Sequence, residues 1–143
     1  GIARPAYVPI YAEAIRRLGT DHSLVVSGDE GLDELSLAGG NELAEVKADA
    51  LLMRRVCAAD AGLPSAPVEA LRGGDPAYNA AALRALLQGE PGPYRDAVLF
   101  SAAAALMVAG HADDWQSGME EAVEAIDKGL AKALLDCWIE TVK

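Results

Sequence analysis

Four carboxylates fall within six residues, Asp29, Glu30, Asp33 and Glu34, in the stretch Gly28-Asp29-Glu30-Gly31-Leu32-Asp33-Glu34-Leu35. Their oxygens suit a hard cation, and Mg²⁺ is commonly held by one or two carboxylates together with substrate phosphates. The competing reading is a solvated acidic turn, which residue types alone favour slightly. Context bears on the choice. The stretch follows Leu24-Val25-Val26, an apolar run that reads as the buried end of a β-strand. Gly28 and Gly31 let the backbone turn sharply as it leaves that strand. In an open α/β sheet, the crevice beyond strand C-termini is where ligands sit.

The remaining chemistry-bearing residues form no comparable group. His22 and His111 lie in polar, loop-like sequence, share no ligand spacing with a carboxylate, and read as surface histidines. Cys57 and Cys137 are far apart, lack a C-x-x-C spacing, and read as small buried hydrophobes with free thiols. Gly73-Gly74-Asp75 has the look of a phosphate cradle but reads better as a turn delivering Asp75 as a helix cap. Asn79 is read as structural, and Trp138 and Ile139 as core.

The elements that must position the acidic turn follow from periodicity and punctuation. Pro5 opens a helical pattern that Gly19 ends, with Arg16-Arg17 in the last turn. Pro9 removes a hydrogen bond four residues in, which moves the start of the helix toward Val8. A strand follows over 23–26. After the turn, Leu35-Ser36-Leu37 is short and apolar, and Gly39-Gly40-Asn41 breaks it. Residues 42–46 and 51–56 read as strands joined through Lys47-Ala48-Asp49, an antiparallel hairpin without the Asn-Gly or Asp-Gly pair that would fix its turn type. Residues 58–75 are loop-rich. Helices are predicted over 76–88 (Asp75 as N-cap), 93–109, from Asp113 or Asp114 to 128, and 130–142. The expected fold is α/β: a partial, mainly parallel sheet with an antiparallel hairpin and a C-terminal helical cluster.

Composition narrows the partners. With 143 residues the chain can bury a core of its own. It is 52% hydrophobic but only 5% aromatic, so alanine and leucine carry the apolar content, as close-packed helices require. A net charge of −10 argues against nucleic acid and anionic lipid as partners. A phosphorylated small substrate remains compatible, provided a metal or a local basic group intervenes. The longest apolar run, 97–109, is too short to span a bilayer, and a cytoplasmic setting is expected.

In order along the chain, the motifs resemble the C-terminal part of the anthranilate phosphoribosyltransferases. The resemblance runs from Gly1 to about Ile139. It is carried by Gly1-Ile2-Ala3-Arg4 leading into Tyr11-Ala12-Glu13-Ala14, Val25-Val26-Ser27-Gly28, and Gly31-Leu32-Asp33-Glu34-Leu35-Ser36. Ala61-Gly62-Leu63, Leu71-Arg72-Gly73-Gly74-Asp75, Asn79-Ala80 and Gly89-Glu90-Pro91-Gly92-Pro93 follow. The stretch 99–106 and Glu124-Ala125-Ile126-Asp127-Lys128-Gly129 complete the series.

The resemblance implies an enzyme of tryptophan biosynthesis. Such enzymes move phosphoribose from phosphoribosyl pyrophosphate to the amine of anthranilate and release pyrophosphate. It implies a nucleoside phosphorylase/phosphoribosyltransferase-like fold and Mg²⁺ held by Asp33 and Glu34. Two positions depart from the family pattern: Ser27-Gly28 stands for His-Gly, and Ser101-Ala102 for Asn-Ala. The family's glycine-rich diphosphate loop, its Lys-His-Gly-Asn-Arg segment and its helical dimerisation domain lie upstream of the region resembled. The resemblance therefore implies a piece of the α/β domain, inactive alone, from a homodimeric parent. The alternatives are a non-catalytic ligand- or nucleic-acid-binding homologue of the same fold, and a relative of the pyrimidine nucleoside phosphorylases.

Overall fold

The computed structural model describes residues 1–142. Among them, three strands and five α-helices stack in three layers: β1 (His22–Gly28), β2 (Gly40–Lys47), β3 (Ala50–Cys57), α1 (Val8–Arg17), α2 (Pro76–Leu87), α3 (Pro93–Ala109), α4 (Trp115–Asp127) and α5 (Leu130–Thr141). A single 3₁₀ turn, Pro5–Tyr7, precedes α1, so the α-helix does begin at Val8, with Pro9 in its first turn. There proline has no intrahelical donor to remove.

The sheet order is β1-β2-β3, and both pairings are antiparallel. The expectation of a mainly parallel sheet is thus corrected among the described residues. Parallel neighbours need a crossover of a dozen or more residues, usually helical. Here β1 reaches β2 through a non-helical loop, and β2 reaches β3 through a two-residue hairpin. Ala48 and Asp49 at its tip hold φ of 44° and 21°. These left-handed angles match the right-handed twist of paired strands but carry a steric cost in residues with a Cβ.

Alternation along the strands sorts the core. Val25, Ala44 and Val46 face α1 and pack with Val8 and Ala12. Leu24, Val26, Leu43 and Val56 face the other way, onto Phe100 and Ala104 of α3 and Trp115 of α4. Phe100 is fully buried and meets Trp115 at 5.0 Å between ring centroids, tilted by 54°. A third cluster joins the helices through Leu86, Leu99 and Ile126. There α4 approaches α3 so closely that a Cβ on Gly118 would sit 3.0 Å from the Ala103 carbonyl oxygen.

Local signals set the helix ends. Asp75 accepts the Tyr78 amide at 2.8 Å, and Asp114 accepts the Ser117 amide at 2.8 Å while the Ser117 hydroxyl accepts from the Asp114 amide. That cap holds the Asp114 carboxyl below the usual carboxylate range, through the Ser117 amide first. The helix α5 departs from expectation: none of its residues is buried, Trp138 is 66% exposed, and Ile139 and Cys137 are also exposed. It leans on the cluster only through Ala131 and Leu135, so Trp138 and Ile139 are not core. Cys137 is on the surface, Cys57 is half-buried, and both thiols are free. No helix among the described residues is long and apolar enough to cross a membrane.

Candidate functional site

The acidic turn leaves the end of β1 and is tied down on three sides. Within it, the Gly28 amide donates to the Leu32 carbonyl at 2.9 Å and the Gly31 amide to the Gly28 carbonyl at 3.0 Å. Gly31 makes the reversal, at φ +81°. From β2, the Gly40 carbonyl accepts the Asp29 amide at 3.0 Å. Beneath the turn runs the N-terminal segment, whose Ile2 amide donates to the Val26 carbonyl at 2.9 Å.

The third tie is a buried side chain. Asn41 is wholly enclosed; its Oδ1 accepts the Ser36 amide at 2.6 Å, and its Nδ2 donates to the carbonyls of Ser36 (3.1 Å) and Val56 (3.2 Å). Read from sequence, Gly39-Gly40-Asn41 breaks the chain; in the structure Gly40 and Asn41 open β2 instead. The signal available was alternation: Asn41 shares a strand face with the buried Leu43, where an enclosed amide must find partners. With Leu35 and Leu37 also buried, the segment after Glu34 is fixed in the core.

On this anchored turn the four carboxylates separate into two kinds. Asp29 is committed: Arg55 Nη2 donates to its Oδ2 at 2.5 Å, and Arg55 also pairs with Glu42 at 3.3 Å. The guanidinium holds the Asp29 carboxyl below the usual range, and the pair raises Arg55 in turn. Glu30 leans against Gly39. Asp33 and Glu34 are exposed, with no hydrogen bond or ion pair to another described residue. Their oxygens are open to a ligand, which is what the sequence reading requires of them. No group of three or more His, Cys, Asp or Glu side chains among the described residues forms a metal cage. Two adjacent carboxylates without a cage fit Mg²⁺, which retains waters and shares its coordination with phosphate oxygens.

Glu34 also closes one end of an open groove of about 360 Å³ between β1 and α3, with Ser101 and Ala105 on its helical wall. Ser101 and Ser27, the two departures from the resembled pattern, therefore both lie close to the turn. Ser27 is fully buried immediately before Gly28, and its hydroxyl has no hydrogen-bond partner.

Other residues singled out from sequence lie elsewhere. Asn79 grips the backbone of Gly74, accepting its amide at 2.9 Å and donating to its carbonyl at 3.1 Å. This pins the Gly73-Gly74 turn that presents Asp75, a structural role. His111 is exposed, 3.6 Å from Glu121. His22 is the exception to its reading as a surface histidine: it opens β1, its side chain is 15% exposed, and Nε2 lies 3.0 Å from Glu45 Oε1.

Against known proteins, a model of the glycosyl transferase family, a/b domain, matches residues 1–132. The anthranilate phosphoribosyltransferase of Novosphingobium aromaticivorans is 74% identical over 143 residues, covering all of this chain and 43% of that protein. The enzyme of the same name from Parvibaculum lavamentivorans is 47% identical over 135 residues, covering 94% of this chain and 40% of that one. The crystal structure of the Thermus thermophilus anthranilate phosphoribosyltransferase superposes with a TM-score of 0.88 at 39% identity, over 98% of this chain and 41% of that one. The Saccharomyces cerevisiae enzyme, in complex with PRPP and Mg, gives 0.89 at 25% identity, over 99% and 41%. The chain thus spans well under half the length of these relatives, and along that span it belongs to the glycosyl transferase family whose a/b domain the model describes.

Proposed function

We propose that this chain supplies the metal-binding carboxylates of a magnesium-dependent transferase that moves phosphoribose from phosphoribosyl pyrophosphate to anthranilate. The observation that carries the reading is the pairing of two unengaged carboxylates, Asp33 and Glu34, with a turn anchored by Asn41. The 74% identity to a protein named for that activity supports it.

The chain's own contribution is positional and electrostatic. Asp33 and Glu34 would hold Mg²⁺, whose charge, when the ion is bound, offsets that developing on the departing pyrophosphate. The buried Leu35-Ser36-Leu37 segment keeps their backbone from drifting, so the carboxylates meet the ligand without reorganising. Arg55 draws Asp29 aside, which leaves the following pair to face the ligand without a third competing carboxylate.

On this reading the substrates also need groups beyond the residues of this chain, including a diphosphate-binding loop and an anthranilate pocket. The protein acts in the cytoplasm as a homodimer, and residues 1–143 form part of its α/β domain. The net charge of −10 disfavours the alternative of a nucleic-acid-binding homologue.

A chimera tests the activity. This chain replaces the matching 43% of the Novosphingobium aromaticivorans enzyme, and loss of anthranilate fluorescence is followed with phosphoribosyl pyrophosphate and Mg²⁺. Turnover close to that of the unaltered enzyme is expected. A folded chimera that is inert toward anthranilate but cleaves a pyrimidine nucleoside with phosphate would overturn the assignment.

A further inference from the structure

At the other end of β1 from the acidic turn, the sheet and the end of α3 enclose a second cavity, of about 340 Å³. Its strand end at His22 lies six residue steps, roughly 20 Å, from Gly28, and because His22 and Leu24 also line the groove that Glu34 borders, the two cavities are neighbours along β1. We infer that this cavity is a binding site for a small zwitterion with an apolar body, an α-amino acid with an aliphatic or aromatic side chain.

The volume falls within the range of about 300–1,000 Å³ typical of small-molecule pockets. Strand register places Leu24, Leu43 and Val56 on the floor, and Trp115 stands on the helical side. That lining takes up an aliphatic or aromatic group. The polar residues fall into two sets. Glu45 is already neutralised, with Oε1 3.0 Å from His22 and Oε2 3.5 Å from Arg54, a cross-strand row over β1, β2 and β3. Lys47 and Asp113 are not. Both are exposed, and neither has an ion pair with a described residue.

Lys47 comes from the sheet, where it lies opposite His22 in register, and Asp113 from the loop after α3. One unpaired cation and one unpaired carboxylate on different walls above an apolar floor complement a ligand carrying both charges. A simple carboxylate would satisfy only Lys47, and a simple amine only Asp113. Because the His22–Glu45–Arg54 row is internally balanced, it adds no net preference for either.

The test uses the 143-residue chain and three probes: L-phenylalanine, phenylpropionate and phenethylamine. Amide chemical-shift changes report the site, and calorimetry reports affinity. Saturable binding of L-phenylalanine is expected, with shifts confined to the ends of β1–β3, Trp115 and the 107–113 segment. Each single-charge probe should bind about tenfold more weakly, as should L-phenylalanine to Lys47→Gln and to Asp113→Asn. Both substitutions are at exposed positions, so an unchanged melting temperature serves as the control for folding. No saturable binding at millimolar concentration overturns the inference, as does equal affinity for the three probes.

Discussion

Asn41 and Ser36 are joined by a reciprocal pair of hydrogen bonds, the Ser36 amide to Asn41 Oδ1 at 2.6 Å and Asn41 Nδ2 to the Ser36 carbonyl at 3.1 Å. One side chain thus does for the acidic turn what a neighbouring strand does for a ladder. It satisfies both backbone groups of a residue two positions beyond Glu34 and ties them to β3 through Val56. Removing it should be costly. Asn41→Ala leaves the Ser36 amide and carbonyl buried without partners and takes away the second hydrogen bond of the Val56 carbonyl, and we expect a loss of about 2–4 kcal/mol. Urea unfolding measures this, and a change below about 1 kcal/mol would contradict the role.

The hairpin tip predicts the opposite sign. Ala48 and Asp49 occupy left-handed backbone angles that Asn-Gly adopts with little strain. Ala48→Asn combined with Asp49→Gly should stabilise the chain by about 1 kcal/mol. A raised urea midpoint at unchanged slope is the expected result, and a lowered midpoint would show that the tip is not strained.

The close approach of α3 and α4 is tested by one methyl group. In an open helix Gly118→Ala would be favourable by about 1 kcal/mol. Here the new Cβ meets the backbone of Ala103, at 3.0 Å from its oxygen and 3.1 Å from its Cα, and backbone cannot swing away. Net destabilisation of about 1–2 kcal/mol is expected from overpacking. A more stable variant would mean that the helices separate at little cost.

Acid sensitivity follows from α1. Glu13 accepts from Arg16 at 2.8 and 2.9 Å and from Arg17 at 2.7 Å, and these guanidiniums, Arg16 foremost, lower its carboxyl from 4.5 to about 2. A carboxyl with a folded-state value below its unfolded one binds fewer protons when folded. Its contribution is therefore complete above about pH 4.5 and is lost as the pH falls toward 2. Stability measured between those limits should decline, and Glu13→Gln should make the decline shallower. Identical slopes for the two proteins would remove Glu13 from the explanation.

These residues show which parts of the molecule were legible beforehand. Helix ends were, because Asp75, Asp114 and the glycines act within a few residues of themselves. The acidic turn was legible as a cluster of residue types, and the division of its carboxylates was not. That Asp29 is engaged depends on Arg55, 26 residues away on β3. Asn41 was hidden for the same reason: Gly-Gly-Asn reads as punctuation until the strand pairing shows what surrounds it. Trp138 and Ile139 failed differently. Their helical spacing states that they share a face, and only tertiary packing states whether anything covers it. Strand direction likewise turned on the connections, a loop and a hairpin, rather than on the strands.

The central claim is that Asp33 and Glu34 hold the metal. The direct measurement is the Mg²⁺ dependence of anthranilate consumption by the chimeric enzyme with and without Asp33→Asn and Glu34→Gln together. Both side chains are exposed and unpaired, so fold and melting temperature should be unchanged. Turnover at saturating phosphoribosyl pyrophosphate is predicted to fall by about a hundredfold or more, with a higher Mg²⁺ requirement. Unaltered turnover and an unaltered Mg²⁺ requirement would contradict the account and reduce the acidic turn to a solvated loop.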